Sequence, residues 1–298
     1  MTAKVVVALL SEHQEFQLMQ AKEARAAAAQ AGLESEVVFA DDNAIQQIHQ
    51  LFAYIHAPES ERPAAIVVET VVGEGLERVA RNAVKAGIGW VLLNRQAKYL
   101  DALRKERGDL PIGSVSVDNE EAGRIQGRQI RALLPSGGRV LCLQGPADTS
   151  TAQQRLRGMQ MAIEGAGIEL KVLDNDNWIE ASGEKAVSAW MRLKTSEAFR
   201  PALVCAQNDS LAIGARRAIL AGRPEWSDVM FLGCDGLPEG GQKLVRGGEL
   251  TATIVTPPPA GAAVTLVSRA LAGERVSSDV RLPPQSFPSI DALAGRRR

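Results

Sequence analysis

Short apolar runs alternate with amphipathic, helix-like segments along almost the whole chain. Residues 4–10 (KVVVALL) and 88–93 (IGWVLL) are apolar at consecutive positions, which is typical of strands buried on both faces. In the segments between such runs, apolar residues recur at intervals of three and four, as at Leu211, Ala215 and Ala218, which predicts helices. Alternating strands and helices predict an α/β protein with parallel sheets, right-handed crossovers and helices on both faces.

The alternation runs through the chain twice, with a pause near residue 117, and this predicts two similar lobes. No element is predicted for the charged excursion at 99–109, and residues 273–298 are predicted to be irregular apart from a short strand near 280–282. Strands are predicted at 4–10, 36–40, 64–69, 88–93, 113–117, 139–143, 169–173, 202–206, 229–233 and 250–255. Helices are predicted at 16–31, 43–55, 75–86, 120–134, 151–166, 183–193, 209–220, 237–245 and 260–272.

Composition adds limits on partners. The 298 residues suit roughly two domains of ~150 residues each. Thirty-four Lys and Arg against 35 Asp and Glu give a net charge of −1, so charge gives no reason to expect nucleic acid or an anionic membrane as a partner. Three cysteines, far apart and in apolar or strand-end contexts, predict buried thiols rather than a disulfide framework. No run approaches the ~20 apolar residues of a membrane span.

Motifs for catalysis or cofactor binding are weak. Residues 73–78 (GEGLER) follow a strand, but Arg78 stands where a dinucleotide fingerprint needs its third glycine. The sequence has no phosphate-loop lysine motif and no Gly-x-Ser-x-Gly nucleophile elbow. The three histidines have no partner at metal-ligand spacing. We therefore expect a non-enzymatic protein without cofactor or metal.

Polar residues follow the predicted strands, at the edge where open α/β sheets bind ligands. A guanidinium from the next helix and an aromatic ring after another strand can reach the same edge. Amide, carboxylate and guanidinium groups satisfy hydroxyls that both donate and accept, so the set suits a polyhydroxylated, uncharged ligand. Each residue alone also has a structural interpretation, as a helix cap, a surface arginine or a core aromatic. The candidates are Gln14, Asn94, Arg95, Asn208, Asp235 and Thr256, with Arg155 from a helix and Trp178 after a strand.

Taken together, several motifs resemble the periplasmic sugar-binding proteins of the ribose-binding type, whose fold also forms the effector domains of LacI-type repressors. The resemblance covers roughly residues 4–282 and implies two Rossmann-like lobes joined by a three-stranded hinge, the type I periplasmic binding protein fold. The first lobe would comprise 1–117 and 257–281, and the second 118–256 and 282–298. The motifs are LQG at 143–145, TS at 149–150, Arg155, Gly158, AQND at 206–209, GA at 214–215, Gly233, DG at 235–236, Gly248, Leu250 and ATI at 252–254.

The resemblance also implies ligand residues, and it shows departures. The family's polar ligand residues correspond to Asn94, Arg95, Arg155, Asn208 and Asp235, with Trp178 as a stacking aromatic, Gln14 for an asparagine and Phe16 for the first of two phenylalanines. The departures are Gln17 for the second phenylalanine, Asn94 for an aspartate, Cys234 for an aromatic and Thr256 for a glutamine. Two aromatics and one carboxylate of a ribose pocket are therefore missing, which favours another pentose, a polyol or another small polar molecule.

These observations predict a monomeric solute-binding protein that closes its lobes on a small sugar or polyol and delivers it to an ABC transporter permease. The alternative is a cytoplasmic regulatory sensor of the same fold that signals its closure to a partner protein. A third interpretation is an enzyme on this scaffold. The segment 5–10 is one strand long and is no export signal. We expect a periplasmic protein if a preceding signal was removed, and a cytoplasmic one otherwise.

Overall fold

The structure, a computed structural model, describes residues 2–73 and 75–295. Glu74 of the 73–78 segment, Met1 of the expected first lobe and residues 296–298 of the expected second lobe lie outside this range. The strands are β1 (Lys4–Leu9), β2 (Glu34–Phe39), β3 (Ala65–Val68), β4 (Gly89–Leu93), β5 (Ile112–Val117), β6 (Gly138–Gln144), β7 (Ile168–Asp174), β8 (Leu203–Ala206), β9 (Met230–Leu232), β10 (Thr253–Val255), β11 (Asp279–Leu282) and β12 (Gln285–Phe287). The helices are α1 (Glu15–Gln30), α2 (Ala44–His56), α3 (Glu77–Lys85), α4 (Tyr99–Glu106), α5 (Asn119–Leu133), α6 (Ser150–Ile163), α7 (Glu180–Met191), α8 (Lys194–Glu197), α9 (Asp209–Gly222), α10 (Gly241–Arg246), α11 (Ala260–Leu271) and α12 (Ile290–Gly295).

The chain forms two compact units and passes between them three times. Unit 1 comprises Met1–Val117 and Pro258–Leu282, and unit 2 comprises Asp118–Pro257 and Pro283–Arg298. Prolines stand at both later crossings, where their fixed φ angle and missing N–H keep the backbone out of a sheet or helix interior.

Unit 1 is built on a six-stranded parallel sheet in the order β11-β5-β4-β3-β1-β2. Successive side chains of a strand point to opposite faces, so a continuously apolar strand feeds two cores. On β1, Val6 and Ala8 pack in the core beneath α2, α3 and α4, and Val5, Val7 and Leu9 pack in the core beneath α1 and α11. The apolar run read from the sequence is thus explained by burial on both sides.

Unit 2 repeats this plan with four parallel strands in the order β7-β6-β8-β9. Antiparallel β10 and β12 lie beside it, and single bridges join Leu232 to Ala252 and Asp235 to Val255. One core contains residues of α7 and α9, and the other contains residues of α5, α6 and α12. The α/β class with helix-covered parallel sheets, predicted from the alternation, is confirmed.

All three cysteines are buried and unbridged. Cys142 of β6 and Cys205 of β8 are register partners on one face of the sheet. Burial raises the pKa of the Cys234 thiol to about 12, so this thiol is neutral at physiological pH. The prediction of buried thiols is confirmed.

The structure adds regular elements where the sequence suggested none. Residues 99–106 form α4, because Tyr99, Leu100 and Leu103 lie on one helix face and pack in a core of unit 1. Residues 285–287 form β12 along β10, and 290–295 form α12, whose Leu293 is fully buried. These elements are short, and each carries too few apolar residues for a periodic pattern. No described helix is both long and apolar enough to cross a membrane.

The close approach of α5 and α6 depends on glycine. A Cβ on Gly158 of α6 would lie 2.0 Å from the carbonyl oxygen of Glu120, and one on Gly123 of α5 would lie 2.1 Å from that of Arg155. Both distances are far inside van der Waals contact with backbone atoms. The two helices can therefore touch only without side chains at these positions, and this contact fixes the backbone that carries Arg155.

We expect the change Gly158→Ala to separate α5 from α6 and to lower the free energy of unfolding by about 1–3 kcal/mol, as for overpacked cores. Chemical denaturation measures this difference. The matched control is Gly295→Ala, where an added Cβ meets nothing within 4 Å. Equal stability of the two variants would contradict the steric argument.

Candidate functional site

Arg155 is the centre of a polar cluster in unit 2. Its side chain is only 7% exposed. The Nε atom donates to Asn119 Oδ1 at 3.0 Å, and Nη1 donates to the backbone oxygen of Gln207. Nη1 also lies 3.8 Å from Oδ1 of Asp235. Groups from α5, from the end of β8 and from the loop after β9 therefore hold this guanidinium in one orientation.

The ring of Trp178 lies beside that guanidinium. The distance from Arg155 Cζ to the ring centroid is 5.9 Å, within reach of a cation–π contact. A Cβ on Gly145 would lie 2.2 Å from the ring, so the glycine after β6 makes room for the indole. Trp178 is half-buried, and its loop is tied down by a 2.7 Å bond from Asn208 Nδ2 to its backbone oxygen.

Asn208 has a structural role. Its Oδ1 accepts a hydrogen bond from the backbone N–H of Leu211 at 2.8 Å, which caps α9. Asn208 is the N-cap of α9, and Asp209 is its first helical residue. One amide therefore orders both the start of α9 and the loop that carries Trp178. A contact between Asn208 and a ligand stays a prediction.

Asp235 lies on a strained turn next to Arg155. Its φ is +114°, a region that side chains other than glycine rarely adopt. Its backbone oxygen accepts from the N–H of Thr256 at 3.0 Å, and the Thr256 hydroxyl lies 3.4 Å from the same oxygen. The turn therefore brings two of the sequence candidates together, with the Asp235 side chain one-fifth exposed.

The buried carboxylate of Asp209 holds this turn in place. Asp209 Oδ2 accepts from the N–H of Gly236 at 2.8 Å, and Oδ1 accepts from the Thr253 hydroxyl at 2.6 Å. Cβ atoms on Gly233 or Gly241 would overlap the Asp209 carboxylate, at 2.0 and 2.1 Å. Asp209 thus links the start of α9, the turn at Asp235 and β10. The motif AQND at 206–209 contains this residue, but it was not among the candidate site residues.

In unit 1, Asn94 and Arg95 follow β4. Asn94 adopts φ +51°, a left-handed conformation that asparagine tolerates better than most residues. The Arg95 side chain is 3% exposed, and its Nη1 donates to the Asn94 backbone oxygen at 3.1 Å. The same Nη1 lies 3.4 Å from Oε1 of Glu69, at the end of β3. Glu69 was not among the residues singled out from the sequence.

Gln14 and Phe16 lie at the start of α1, after the end of β1. Gln14 Nε2 donates to the Asp42 carboxylate on the loop after β2, at 3.1 and 3.3 Å. Phe16 is half-buried and stands outside both apolar cores of unit 1. An aromatic ring left outside the cores at a sheet edge can cover the C–H face of a ligand.

Buried polar residues next to the candidates in unit 1 were not predicted from the sequence. Gln17 and Gln20 share the inward face of α1 with Ala21, Ala24 and Ala28. Glutamines at such positions of an otherwise alanine-rich face are a usable signal, because buried amides need partners. Glu69 closes an apolar strand, which is the same signal that identified Asn94. Over residues 2–73 and 75–295, no three His, Cys, Asp or Glu side chains are grouped to hold a metal ion.

A sequence model of the periplasmic binding protein domain matches residues 5–275, more than nine-tenths of the chain. The chain belongs to this periplasmic binding protein family. Among its relatives is the ribose import binding protein RbsB of Salmonella typhimurium, 32% identical over 216 residues, which are 72% of this chain and 67% of the relative. The D-ribose/D-allose-binding protein of Pseudomonas aeruginosa is 28% identical over 190 residues, 63% of this chain and 56% of the relative.

Solved structures agree on the fold. An ABC transporter solute-binding protein from Mycobacterium smegmatis with bound glycerol superposes with a TM-score of 0.83, covering 99% of this chain and 96% of that one at 22% identity. This likeness confirms the type I periplasmic binding protein fold that the sequence motifs resemble. The resemblance to sugar-binding members of the family is confirmed by the named relatives.

We expect Asp209→Ala to leave the Gly236 N–H and the Thr253 hydroxyl unsatisfied, at roughly 1–3 kcal/mol of lost stability for each. Urea unfolding measures the sum. Asp228→Ala, which removes an exposed carboxylate of the same unit, is the control and should stay within about 0.5 kcal/mol of the parent. A parent-like Asp209→Ala protein would show that this carboxylate does not fasten the turn.

Proposed function

We propose that this protein binds a small, uncharged sugar or polyol through strand-end side chains and serves as the solute-binding component of an ABC importer. The observation that carries the proposal is the cluster of Arg155, Trp178, Asn208 and Asp235. It combines a paired guanidinium, a carboxylate, an amide and an aromatic face at one sheet edge. Asn94, Arg95, Gln14, Phe16 and Thr256 complete the proposed set.

The chemistry of the cluster supports this ligand class. A carboxylate accepts from sugar hydroxyls and a guanidinium donates to them, and both form stronger hydrogen bonds than neutral groups do. The Trp178 ring offers an apolar face to ring C–H groups. In addition, the named relatives bind ribose or allose, and the Mycobacterium smegmatis protein was solved with glycerol.

Transport rather than catalysis is the activity we assign. The family name and the import function named for the relatives support a periplasmic location and a transporter partner. Closure of the units on the ligand, a monomeric state and the alternative of a regulatory sensor stay predictions, because each depends on a partner or a motion. Binding of the ligand is the step that all of these share, and it is tested first.

The first test is thermal unfolding with a panel of pentoses, hexoses and polyols that includes D-ribose, D-allose, xylitol and glycerol. A ligand present at 100 times its Kd adds about 2.7 kcal/mol of stability, which raises the melting temperature measurably. A panel without any effect on the melting temperature would refute the ligand class. Calorimetric titration of the best compound then gives its Kd.

The second test locates the binding residues. Asp235→Asn keeps the shape of the side chain but removes its charge. We expect a Kd that is roughly ten- to a hundredfold higher, because a hydrogen bond to a charged group contributes about 1.5–3 kcal/mol. Asp228→Asn, on the surface of the same unit, should leave the Kd unchanged. A Kd that changes in neither variant would remove Asp235 from the site.

A further inference from the structure

One glycine and one indole are in direct contact at the candidate site of unit 2. A Cβ on Gly145 would lie 2.2, 2.4 and 2.6 Å from Cη2, Cζ3 and Cζ2 of Trp178. These carbons are neighbours in the six-membered ring of the indole, and the three distances are nearly equal. A point beyond the edge of the ring would be clearly closer to one carbon than to the two beside it. The main chain of Gly145 therefore packs on a face of the indole rather than against its edge.

The main chain at position 145 is held on both sides. The N–H of Gly145 donates to Gln207 Oε1 at 3.1 Å. Gln207 is 1% exposed, and its Nε2 donates to the backbone oxygen of Ala152 in α6 at 2.9 Å. The backbone oxygen of the preceding residue, Gln144, accepts from the N–H and the Nδ2 of Asn175 at 3.0 and 2.9 Å. Because these bonds join β6 to α6, to the end of β7 and to the end of β8, this main chain has little freedom to move away from the ring.

The main chain of Trp178 is also fixed, whereas its ring has room to move. The backbone oxygen accepts from Asn208 Nδ2 at 2.7 Å, and the N–H donates to Asn177 Oδ1 at 2.6 Å. The residue is half-buried, so a side chain added at position 145 would push the ring towards solvent. Carbon atoms in contact lie about 3.5–4.0 Å apart, and the ring would therefore have to shift by more than about 1 Å.

We propose that Gly145 is a positioning residue that sets the spacing between the Trp178 ring and the Arg155 guanidinium, and with it the ligand that fits beside both. The inference rests on the proposed function and specifies how its site is shaped. Cζ of Arg155 lies 5.9 Å from the ring centroid. Asn119 and Gln207 hold the guanidinium, so a displaced ring changes this spacing. A binding site loses affinity when its groups deviate by more than about 0.5 Å from the productive geometry.

The first measurement needs no ligand. Trp178 is half-buried, whereas the other three tryptophans, Trp90, Trp190 and Trp226, are 0–6% exposed. Quenching of tryptophan fluorescence by acrylamide therefore reports mainly on Trp178, and the Trp178→Phe variant supplies the background of the other three. We expect Gly145→Ala to raise the Stern–Volmer constant of Trp178 about twofold, because the ring loses the cover of the main chain. An unchanged constant would overturn the proposal.

The second measurement is affinity. Titration calorimetry with the tightest-binding compound of the sugar and polyol panel should give a Kd at least tenfold higher for Gly145→Ala than for the parent. The matched control is Gly222→Ala in the same unit, where an added Cβ meets only the flexible end of the Met191 side chain. This control should change neither the quenching nor the Kd. A merely structural role of Gly145 would lower the melting temperature and leave the Kd of the folded protein at the parental value.

A double variant tests whether the effect acts through the indole. The three carbons that an added Cβ would overlap belong to the distal part of the indole, which phenylalanine lacks. The φ angle of Gly145 lies outside the left-handed region, so alanine introduces no backbone strain there. Gly145→Ala should therefore lower the melting temperature at least three times as much in the parent as in Trp178→Phe. Equal losses in the two backgrounds would contradict the proposal.

The outcomes separate this inference from the proposed function. If the parent binds no compound of the panel, the proposed function is wrong, and the inference falls with it. If the parent binds one and Gly145→Ala keeps the parental Kd or the parental quenching, only the role of Gly145 is wrong. If Gly145→Ala does not fold, the double variant Gly145→Ala/Trp178→Phe decides. A double variant that folds supports the contact with the ring, and one that does not fold overturns it.

Discussion

The cost of burying a guanidinium governs the surroundings of Arg95 in unit 1 and of Arg155 in unit 2. The side chains of Arg95 and Arg155 are 3% and 7% exposed, and neither can be placed there without acceptors and an opposite charge. The surrounding residues meet this requirement with carboxylates from other strand ends, backbone oxygens just after β4 and β8, and the amide of Asn119. The rigidity of the arginines is therefore a product of their burial. Rigid donors lose little conformational entropy when they bind a ligand.

The helices place these groups through backbone contacts as well as through side chains. Glycines at 123 and 158 bring α5 against α6, and glycines at 183 and 214 bring α7 against α9, in each case so closely that an added Cβ would lie 2.0–2.5 Å from a backbone carbonyl oxygen. The first pair positions Arg155, and the second positions the start of α9, where Asn208 and Asp209 lie. Fold stability and site geometry in unit 2 consequently depend on the same small residues.

The fold was predictable because its strands are buried on both faces and its helices repeat with a clear period. Residues at strand ends were predictable for the same reason, since the end of an apolar run shows where the sheet edge lies. The hydrogen bonds from Gln17 and Gln20 to Glu69 were not, because Glu69 lies 52 and 49 residues further along the chain and meets them through the parallel pairing of β1 with β3. Short elements such as α4 and β12 were missed because tertiary contacts, not local periodicity, make them regular.

The buried cysteines have a practical consequence. Cys142, Cys205 and Cys234 are buried inside unit 2, at 0–1% exposure, and are therefore out of reach of a thiol reagent in solution. A single cysteine introduced on the surface beside Trp178 could therefore carry a fluorophore without removal of the native thiols.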